Sequence, residues 1–536
     1  MSASYKGFLC LVLHAHLPYI RHPEHEYFLE ENWLYEAITE TYIPLISLLS
    51  RLADDDIDFR ITLSLSPSVI EMLNDDFLMD RYKRHIGNLI EISEREIYRT
   101  KGDIRLEPVV RMYRERFLNV RYIFEDVYKG NLVSAFQKLQ DTGNIEIITS
   151  AATHAFLPNL SLYPQAVRAQ IKTGSEYHKK IFGRTSKGIW LPECGFVPGS
   201  DNYIREEGIR YFFLDTHGII HGKPMPRYGV YAPVQCPSGV AAFGRDIETS
   251  RQVWSSVEGY PGDFDYRDFY RDTGFDSESE HIKAYIHLFG ARTYTGFKYY
   301  RITGKTDHKQ PYVLQRAMEK AHEHAENFIL NRENQIDYLS DTLGIRPLIV
   351  STYDAELFGH WWFEGIEWLD FLLRGICRGK RNFRTITPSE FLDSDEYHPE
   401  GLQTCEPSMS SWGDKGYNEV WLNSSNDYIY PHLLKATGRM IYLAGRFPLA
   451  DGIHQRALNQ AAREILLSQL SDWTFALKNN TAAEYARNRL KKHISRFNTF
   501  YQAILSDNIS EKWLAAIEDE DRIFPDMDYR VFGSKE

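Results

Sequence analysis

A glutamate lies in a largely apolar stretch near the middle of the chain, Trp190 to Phe196, which reads WLPECGF. Glutamate is rarely buried without a partner, because removing its charge from water is costly. Glu193 therefore either points to solvent or lies in a cleft. The residues before it, GIWL, predict a short buried strand, so that Glu193 directly follows a strand.

A second carboxylate, Asp354, occupies a comparable position. It follows the apolar run LIVST and precedes Trp361 and Trp362 in the stretch STYDAELFGHWWFEG. Two carboxylates at separate strand ends, beside aromatic rings on which sugars stack, are typical of glycoside hydrolysis, which needs an acid/base and a nucleophile or a base that activates water. The alternative is that Glu193 and Asp354 only cap the helices that follow their strands.

Histidines near other predicted strand ends allow a different kind of site. His14, His16, His154 and Asp215 could bind zinc or a related ion, because imidazole and carboxylate groups are ligands for such metals. A metal site here would suit a metal-dependent carbohydrate deacetylase. Histidines that are buried and satisfied by hydrogen bonds are more common, however, and a single HxH is weak evidence. We therefore predict no metal and no other cofactor.

Short apolar runs in the first 400 residues predict the strands that must position these groups. They are FLCLVL (8–13), FRITLSL (59–65), IEIIT (145–149), GIWL (188–191), YFFL (211–214), LIVST (348–352) and FRTIT (383–387). They lack alternation, which is typical of parallel strands covered by helices on both faces. With helical stretches between them, about seven β-α units predict an α/β barrel. Barrel enzymes place reactive groups at the carboxyl ends of strands, so we expect Glu193 and Asp354 at the mouth.

Two segments depart from this pattern. Residues 82–140 are charged and helical in period, and they predict an inserted helical subdomain. This leaves 1–81 and 141–400 for the catalytic barrel. From 401 to 536 the strands stop, and apolar residues recur at i, i+3 and i+4 spacing, which predicts an all-helical C-terminal domain.

Composition narrows the class of protein. The 536 residues carry a formal net charge of -12, which argues against a nucleic-acid surface. The five cysteines are scattered and include no CxxC pair, which favours a reducing compartment over a disulfide framework. The N-terminal apolar run is short, has no small-residue cleavage site, and no run approaches the ~18 residues of a membrane span. We expect a cytoplasmic protein that binds neither nucleic acid nor membrane.

Five motifs together resemble the sequence regions of glycoside hydrolase family 57. In chain order they are LHAHLPY (13–19), ATHAFLP (152–158), GIWLPECGF (188–196), YDAELFGHWWFEG (353–365) and SSWGDKGYNEVWLN (410–423). Within the family they are most similar to the 1,4-α-glucan branching enzymes and to the amylase-like proteins near them. The resemblance implies an incomplete (β/α)7 barrel with a helical insertion and an all-helical C-terminal domain.

The resemblance also implies roles for individual residues. Glu193 is similar in position to the family's catalytic nucleophile and Asp354 to its general acid/base, in a retaining mechanism. The remaining positions are implied as substrate contacts: His14, His16, Trp33 and His154 line the donor subsites, Trp361 lies beside the acid, and Trp412, Trp421 and Asp472 close the cleft from the helical domain. We expect Trp412 to contribute mainly to glucan binding by stacking.

The expected activity is that of a 1,4-α-glucan branching enzyme acting on amylose, glycogen or maltooligosaccharides. The alternatives are an α-amylase or 4-α-glucanotransferase on the same scaffold and, outside enzymes, a glycogen-binding module. Family branching enzymes are expected to cover the site with a loop that carries a tyrosine. The corresponding region here is 221–246, which offers only Tyr228 and Tyr231, and later Phe243, so hydrolysis could compete with transfer.

Overall fold

The strands form one curled sheet in a computed structural model that describes residues 5–255, 258–276, 293–398 and 400–533. The strand bounds are β1 Gly7–Ala15, β2 Ile61–Leu65, β3 Ile145–Ser150, β4 Gly188–Trp190, β5 Tyr211–Leu214, β6 Val234–Gln235, β7 Ala241–Gly244, β8 Leu348–Asp354 and β9 Phe383–Thr385. Their order is β6-β7-β5-β4-β3-β2-β1-β8, and β9 pairs with β1 beside this path.

Seven of these strands form a continuous parallel row from β7 to β8. The backbone N–H of Asp246, just after β7, donates to the carbonyl of Val350 in β8 at 2.8 Å. The two ends of the row therefore approach each other, and the sheet curls into the incomplete (β/α)7 barrel that was predicted.

One strand of the barrel differs from the sequence prediction. Of the run FRTIT, Phe383–Thr385 forms β9, which pairs with the start of β1 outside the row, whereas the row takes β7, Ala241–Gly244, as its seventh strand. The sequence AAFG is too short and too poor in β-branched residues to predict a strand. It is a strand because it pairs with β5 over its whole length.

Helices cover the outside of the sheet. Up to residue 400 they are Glu31–Ala37, Ile43–Asp54, Pro67–Leu73, Asp76–Arg99, Glu107–Tyr122, Leu132–Asp141, Pro164–Phe182, Asp201–Glu206, Thr216–Ile220, Ile247–Trp254, Thr273–Asp276, Leu314–Leu343, Gly365–Arg378 and Pro388–Leu392. After it they are Tyr430–Arg446, Gly452–Ser468, Ser471–Asn479, Ala483–Leu505 and Glu511–Glu520. The described residues after 400 contain no strand longer than an isolated bridge, so the C-terminal region is helical as predicted.

Alternation along the strands determines which side chains face the barrel interior. On β1, Phe8, Cys10 and Val12 belong to the interior cluster, while the residues between them pack toward the helices. Successive side chains of a strand point to opposite faces, so His14 continues the interior row at the carboxyl end. By the same count, Asp354 continues the row of Leu348 and Val350 on β8.

The C-terminal helices approach the barrel at its carboxyl end. Leu470 forms a bridge with Ala155, and the N–H of Ser471 donates to the carbonyl of His154 at 3.1 Å. The helix Ser471–Asn479 therefore begins beside the loop that follows β3. Within the part of the chain that the structure describes, none of the helices is both long enough and apolar enough to cross a membrane.

Candidate active site

Glu193 lies in a tight turn immediately after β4. The turn Pro192–Cys194 places Glu193 at φ 61° and Cys194 at φ 50°, in the left-handed region that residues with a Cβ rarely adopt. Such a conformation costs about 1–3 kcal/mol and persists only where its surroundings hold it. Here the Glu193 carbonyl accepts a hydrogen bond from the N–H of Trp412 at 2.9 Å. The turn aims the carboxylate at the mouth of the barrel.

Two side chains from beyond the barrel strands hold the Glu193 carboxylate. Trp412 Nε1 donates to Oε2 at 2.8 Å, and Ser471 Oγ donates to Oε1 at 2.9 Å. Burial raises the pKa of Glu193, and the charge of Asp472 adds to this, while both hydrogen bonds act in the opposite direction by favouring the ionised form. Donors aimed at both oxygens suit a carboxylate that acts as a nucleophile.

Asp354 ends β8 and is the only partly exposed residue of that strand. Its backbone lies in register with His14 of β1. Burial raises the pKa of Asp354 well above its ordinary range, and the neighbouring Glu356 and Glu193 raise it further. Burial raises the pKa of both carboxyl groups, but Glu193 also accepts two hydrogen bonds that favour its ionised form. Asp354 is therefore suited to carry the proton while Glu193 stays ionised.

The predicted histidines lie together beside Glu193. His14 Nδ1 is 2.9 Å from Ser64 Oγ, and its Nε2 is 2.9 Å from His154 Nε2. His154 Nδ1 is in turn 2.9 Å from the hydroxyl of Ser471. Burial lowers the pKa of His14 and of His154 well below the ordinary value, so both rings are neutral at neutral pH.

His16 and Asp472 form a neighbouring pair. His16 Nε2 lies 2.9 Å from Asp472 Oδ2, and its Nδ1 lies 3.0 Å from Ser66 Oγ. The His16 ring stacks on the His154 ring with centroids 3.6 Å apart. The structure thus brings together His14, His16, His154, Glu193 and Asp472, as expected for residues that line one cleft.

The metal site predicted as an alternative has a different composition in the structure. His16, His154 and Asp472 each offer a ligand atom, and these atoms lie within 4.8 Å of one another. Asp215 is not among them, because its carboxylate pairs with Arg245 at 3.1 Å and His217 at 3.3 Å. Both ring nitrogens of His16 and of His154 already take part in hydrogen bonds, which an ion would have to displace.

The predicted tryptophans differ in what they can contact. Trp412 is half-buried and packs edge-on against Trp190 at 5.0 Å. Trp361 is 52% exposed and stacks on Phe269 with centroids 4.1 Å apart. Trp33 is half-buried and meets Tyr485 edge-on at 6.0 Å. No described contact joins Trp33 or Trp361 to the hydrogen bonds around Glu193.

Trp421 departs from its expected role as a substrate contact. It is 1% exposed, and its ring stacks on Phe156 with centroids 4.3 Å apart. Trp421 lies against Phe156 and Val420 in a small buried cluster and offers no open face to a sugar. The resemblance implied a contact at this position, but Phe156 and Val420 cover the ring. We do not retain Trp421 among the proposed substrate contacts.

The sequence did not identify several side chains that complete the site. Glu356 accepts a hydrogen bond from Tyr42 at 2.5 Å, and burial raises its pKa to about 7. Arg245 lies over the Trp412 ring at 5.6 Å. Ser64 could have been found by strand alternation, because it is the last residue of β2 that faces the barrel interior. Ser471 carried no signal, since only the folded chain brings it to Glu193.

The loop 221–246 lies mostly at the opposite end of the barrel. The carbonyl of Tyr231 accepts from the N–H of Leu348, the first residue of β8, at 2.9 Å. Asp354 lies six positions after Leu348, which is about 20 Å along a strand. Phe243 is fully buried inside the barrel. Neither Tyr228 nor Tyr231 can therefore cover the carboxylates, and the chain that follows β7 on the catalytic side begins at Arg245.

Comparison with known proteins identifies the family. The model of glycosyl hydrolase family 57 matches residues 10–335, and a model described as 1,4-alpha-glucan branching enzyme, C-terminal, matches residues 432–532. The chain is 34% identical to the 1,4-alpha-glucan branching enzyme of Thermococcus kodakarensis, over 97% of this chain and 77% of that protein.

Two solved structures are similar to this protein over 99% of its chain. The α-amylase AmyC of Thermotoga maritima is 43% identical, with a TM-score of 0.92 and 99% of each chain covered. The branching enzyme of Pyrococcus horikoshii is 32% identical, with a TM-score of 0.87, over 99% of this chain and 97% of that one. From its barrel to its C-terminal helices, this chain belongs to glycosyl hydrolase family 57.

Proposed function

We propose that this protein is a 1,4-α-glucan branching enzyme that works by a retaining double displacement. The observation that carries the double displacement is the pair Glu193 and Asp354 at the mouth of the barrel, the first accepting hydrogen bonds from two donors and the second strongly inclined to keep its proton. The C-terminal branching-enzyme match and the identity to the Thermococcus enzyme support this choice of reaction.

In the first step, a glucan chain lies across the two carboxyl groups. A Glu193 oxygen attacks the anomeric carbon from one face, and the bond from that carbon to the glycosidic oxygen breaks. Asp354 gives its proton to the departing oxygen, which leaves as the 4-hydroxyl of the released chain. The product is a covalent glucosyl ester on Glu193, and Asp354 is now ionised.

In the second step, a 6-hydroxyl of another glucan chain reaches the same carbon. Asp354 takes the hydroxyl proton, the oxygen attacks the anomeric carbon, and the ester bond to Glu193 breaks. Two inversions give net retention, so an α-1,4 linkage becomes an α-1,6 linkage. The proposed substrate is therefore an α-glucan such as amylose, glycogen or a maltooligosaccharide, with His16, Trp412 and Asp472 as contacts. His14 and His154 are buried and fully hydrogen-bonded within the protein, so we propose that they support the site from behind rather than touch the sugar.

A second candidate activity is α-amylase hydrolysis on the same scaffold. The observation in its favour is that neither Tyr228 nor Tyr231 lies over the carboxylates, and the relative from Thermotoga is named an α-amylase. Water would then replace the acceptor 6-hydroxyl in the second step. The choice depends on water exclusion from the ester, not on the carboxyl pair.

The experiment that tests the proposal is incubation of the purified protein with amylose. New α-1,6 linkages are counted by proton NMR, and new reducing ends are counted in the same samples. We expect more branches than reducing ends. Reducing ends without branches would replace the branching assignment with hydrolysis.

Amide variants of the two carboxylates test the chemistry itself. Glu193→Gln and Asp354→Asn are each expected to lower total turnover by several powers of ten while amylose binding persists, because each variant removes one chemical role and leaves the cleft. The exposed Asp341→Asn is the matched control and should behave as wild type. Near-wild-type turnover of either active-site variant would exclude its role.

A further inference from the structure

A continuous row of hydrogen bonds runs from the barrel to the oxygen of Glu193. It passes from Ser64 to His14, from His14 to His154, from His154 to Ser471 and from Ser471 to Glu193, and each of the four distances is 2.9 Å. Four of its five members belong to the barrel strands and their loops, whereas Ser471 comes from the C-terminal helices.

The ionised carboxylate fixes the direction of every bond in this row. A carboxylate oxygen can only accept, so the hydroxyl of Ser471 donates its hydrogen to Glu193. That hydroxyl must then accept from His154, whose Nδ1 carries the hydrogen. A neutral His154 has a bare Nε2, which accepts from the Nε2–H of His14. The bare Nδ1 of His14 finally accepts from the hydroxyl of Ser64.

We propose that Ser471 is a positioning residue that holds the nucleophile Glu193 in its reactive orientation and sets the tautomers of His154 and His14 through this row. With both histidines neutral, each of the four hydrogen bonds has one donor hydrogen and one acceptor atom. The inference rests on the proposed function only in treating Glu193 as the nucleophile.

The row explains why the helical region is needed at a barrel active site. His154 Nδ1 lies 3.9 Å from Glu193 Oε1, too far for a hydrogen bond, and Ser471 bridges that gap. The backbone of Ser471 is fixed by its own bond to the His154 carbonyl at 3.1 Å. The hydroxyl therefore meets both partners without any motion of the helix, which is the form of preorganisation that an active site requires.

Other titratable groups also face Glu193 and affect any measurement of the pH profile. They are His154 after β3, His16 after β1, Asp354 at the end of β8 and Asp472 beside Ser471. Ser471→Ala leaves all four of these residues in place and removes only the hydrogen bonds that the Ser471 hydroxyl makes to Glu193 and His154. A shift of the acidic limb of the pH profile in that variant therefore reports the lost hydrogen bond.

Ser471→Ala is the first variant to test, assayed by total turnover on amylose so that branching and hydrolysis both count. We expect kcat to fall about tenfold with KM changed less than twofold, and the acidic limb to move upward by about one pH unit. Ser471→Thr keeps the hydroxyl and should restore the limb. Ser468→Ala is the control, because its hydroxyl is equally buried but bonds to Ile465 in its own helix.

A tautomer measurement tests the inference without any activity. In wild-type protein labelled with ¹⁵N-histidine, we expect His154 protonated at Nδ1 and His14 at Nε2, and loss of that preference for His154 in Ser471→Ala. The opposite tautomers in the wild type, or an unchanged acidic limb in Ser471→Ala, would overturn the proposal. Because neither readout counts branches, both stand apart from the choice between branching and hydrolysis.

Discussion

At the scale of single residues, Trp412 has a second role besides the stacking expected from the sequence. Its indole N–H donates to Glu193 at 2.8 Å, and its backbone N–H donates to the Glu193 carbonyl at 2.9 Å. The side chain therefore takes part in orienting the nucleophile. A substitution at Trp412 should change turnover as well as affinity, which revises the expectation of a pure binding residue.

Trp412→Phe separates these two roles, because phenylalanine keeps an aromatic face and loses the donor. We expect kcat to fall about tenfold, since a hydrogen bond to a charged group contributes about 1.5–3 kcal/mol, while KM changes less than twofold. The measurement is steady-state turnover on amylose. Trp421→Phe is the control, since the Trp421 Nε1 has no partner among the described residues. A large rise in KM with unchanged kcat would restore the stacking interpretation.

Glu356 should influence the protonation of Asp354 from two residues away. After burial, the charge of Glu356 is the largest cause that raises the Asp354 pKa. In Glu356→Gln that charge is absent, so the Asp354 pKa should fall and the alkaline limb of the pH profile should move to lower pH. Tyr42→Phe should move it less, because that variant keeps the carboxylate. An alkaline limb that stays in place in Glu356→Gln would show that another group controls it.

At the scale of elements, the turn after β4 depends on the close approach of Gly195 to the ring of Phe156. A Cβ at Gly195 would lie 2.6 Å from that ring and 2.9 Å from the Pro192 carbonyl. Gly195→Ala should displace the turn that carries Glu193, lowering kcat at least tenfold and the free energy of unfolding by about 1–3 kcal/mol. Urea unfolding and turnover measure these effects.

The matched control is Gly87→Ala, in the middle of the helix Asp76–Arg99. A Cβ there meets nothing within 4 Å, so the change should leave turnover intact and stabilise the helix by about 0.5–1 kcal/mol. Equal losses of activity in the two variants would show that the close contact at Gly195 is not what holds the turn.

Strand ends were the part of the site that the sequence could predict. A buried parallel strand reads as an apolar run, so the first polar residue after it marks the barrel mouth, and this placed Glu193 and Asp354 correctly. One strand and one site residue could not be predicted, because each depends on contacts with residues distant in sequence. AAFG becomes β7 only by pairing with β5, and Ser471 reaches Glu193 only when the C-terminal helices dock.

The division of the chain at residue 400 remains a prediction, and the contacts suggest a refinement. Thr404 forms an isolated bridge with β6, and Glu406 and Ser410 form bridges with barrel loops, while the long helices begin at Tyr430. We propose that residues 401–429 belong with the barrel as the segment that carries Trp412 to Glu193. The match of the branching-enzyme C-terminal model to residues 432–532 supports this placement.

At the scale of the whole molecule, the active site should reduce stability at neutral pH. The folded state raises the pKa of Asp354 well above its ordinary value, mainly through burial. Such a group contributes stability below its unfolded pKa, and this contribution is lost as the pH rises through the folded pKa. Each unit of difference amounts to about 1.36 kcal/mol, so the cost of ionising Asp354 is expected to be measurable in the unfolding temperature.

Asp354→Asn removes the titration and should therefore stabilise the protein in a pH-dependent way. We expect a Tm about 1–3 °C above wild type at pH 8, with the difference shrinking toward pH 4, measured by calorimetry across that range. The exposed Asp341→Asn controls for loss of a carboxylate and should show no such trend. A Tm difference that is the same at both pH values would mean that ionisation of Asp354 does not lower the stability of the folded protein. The assignment of the proton to Asp354 would then be wrong.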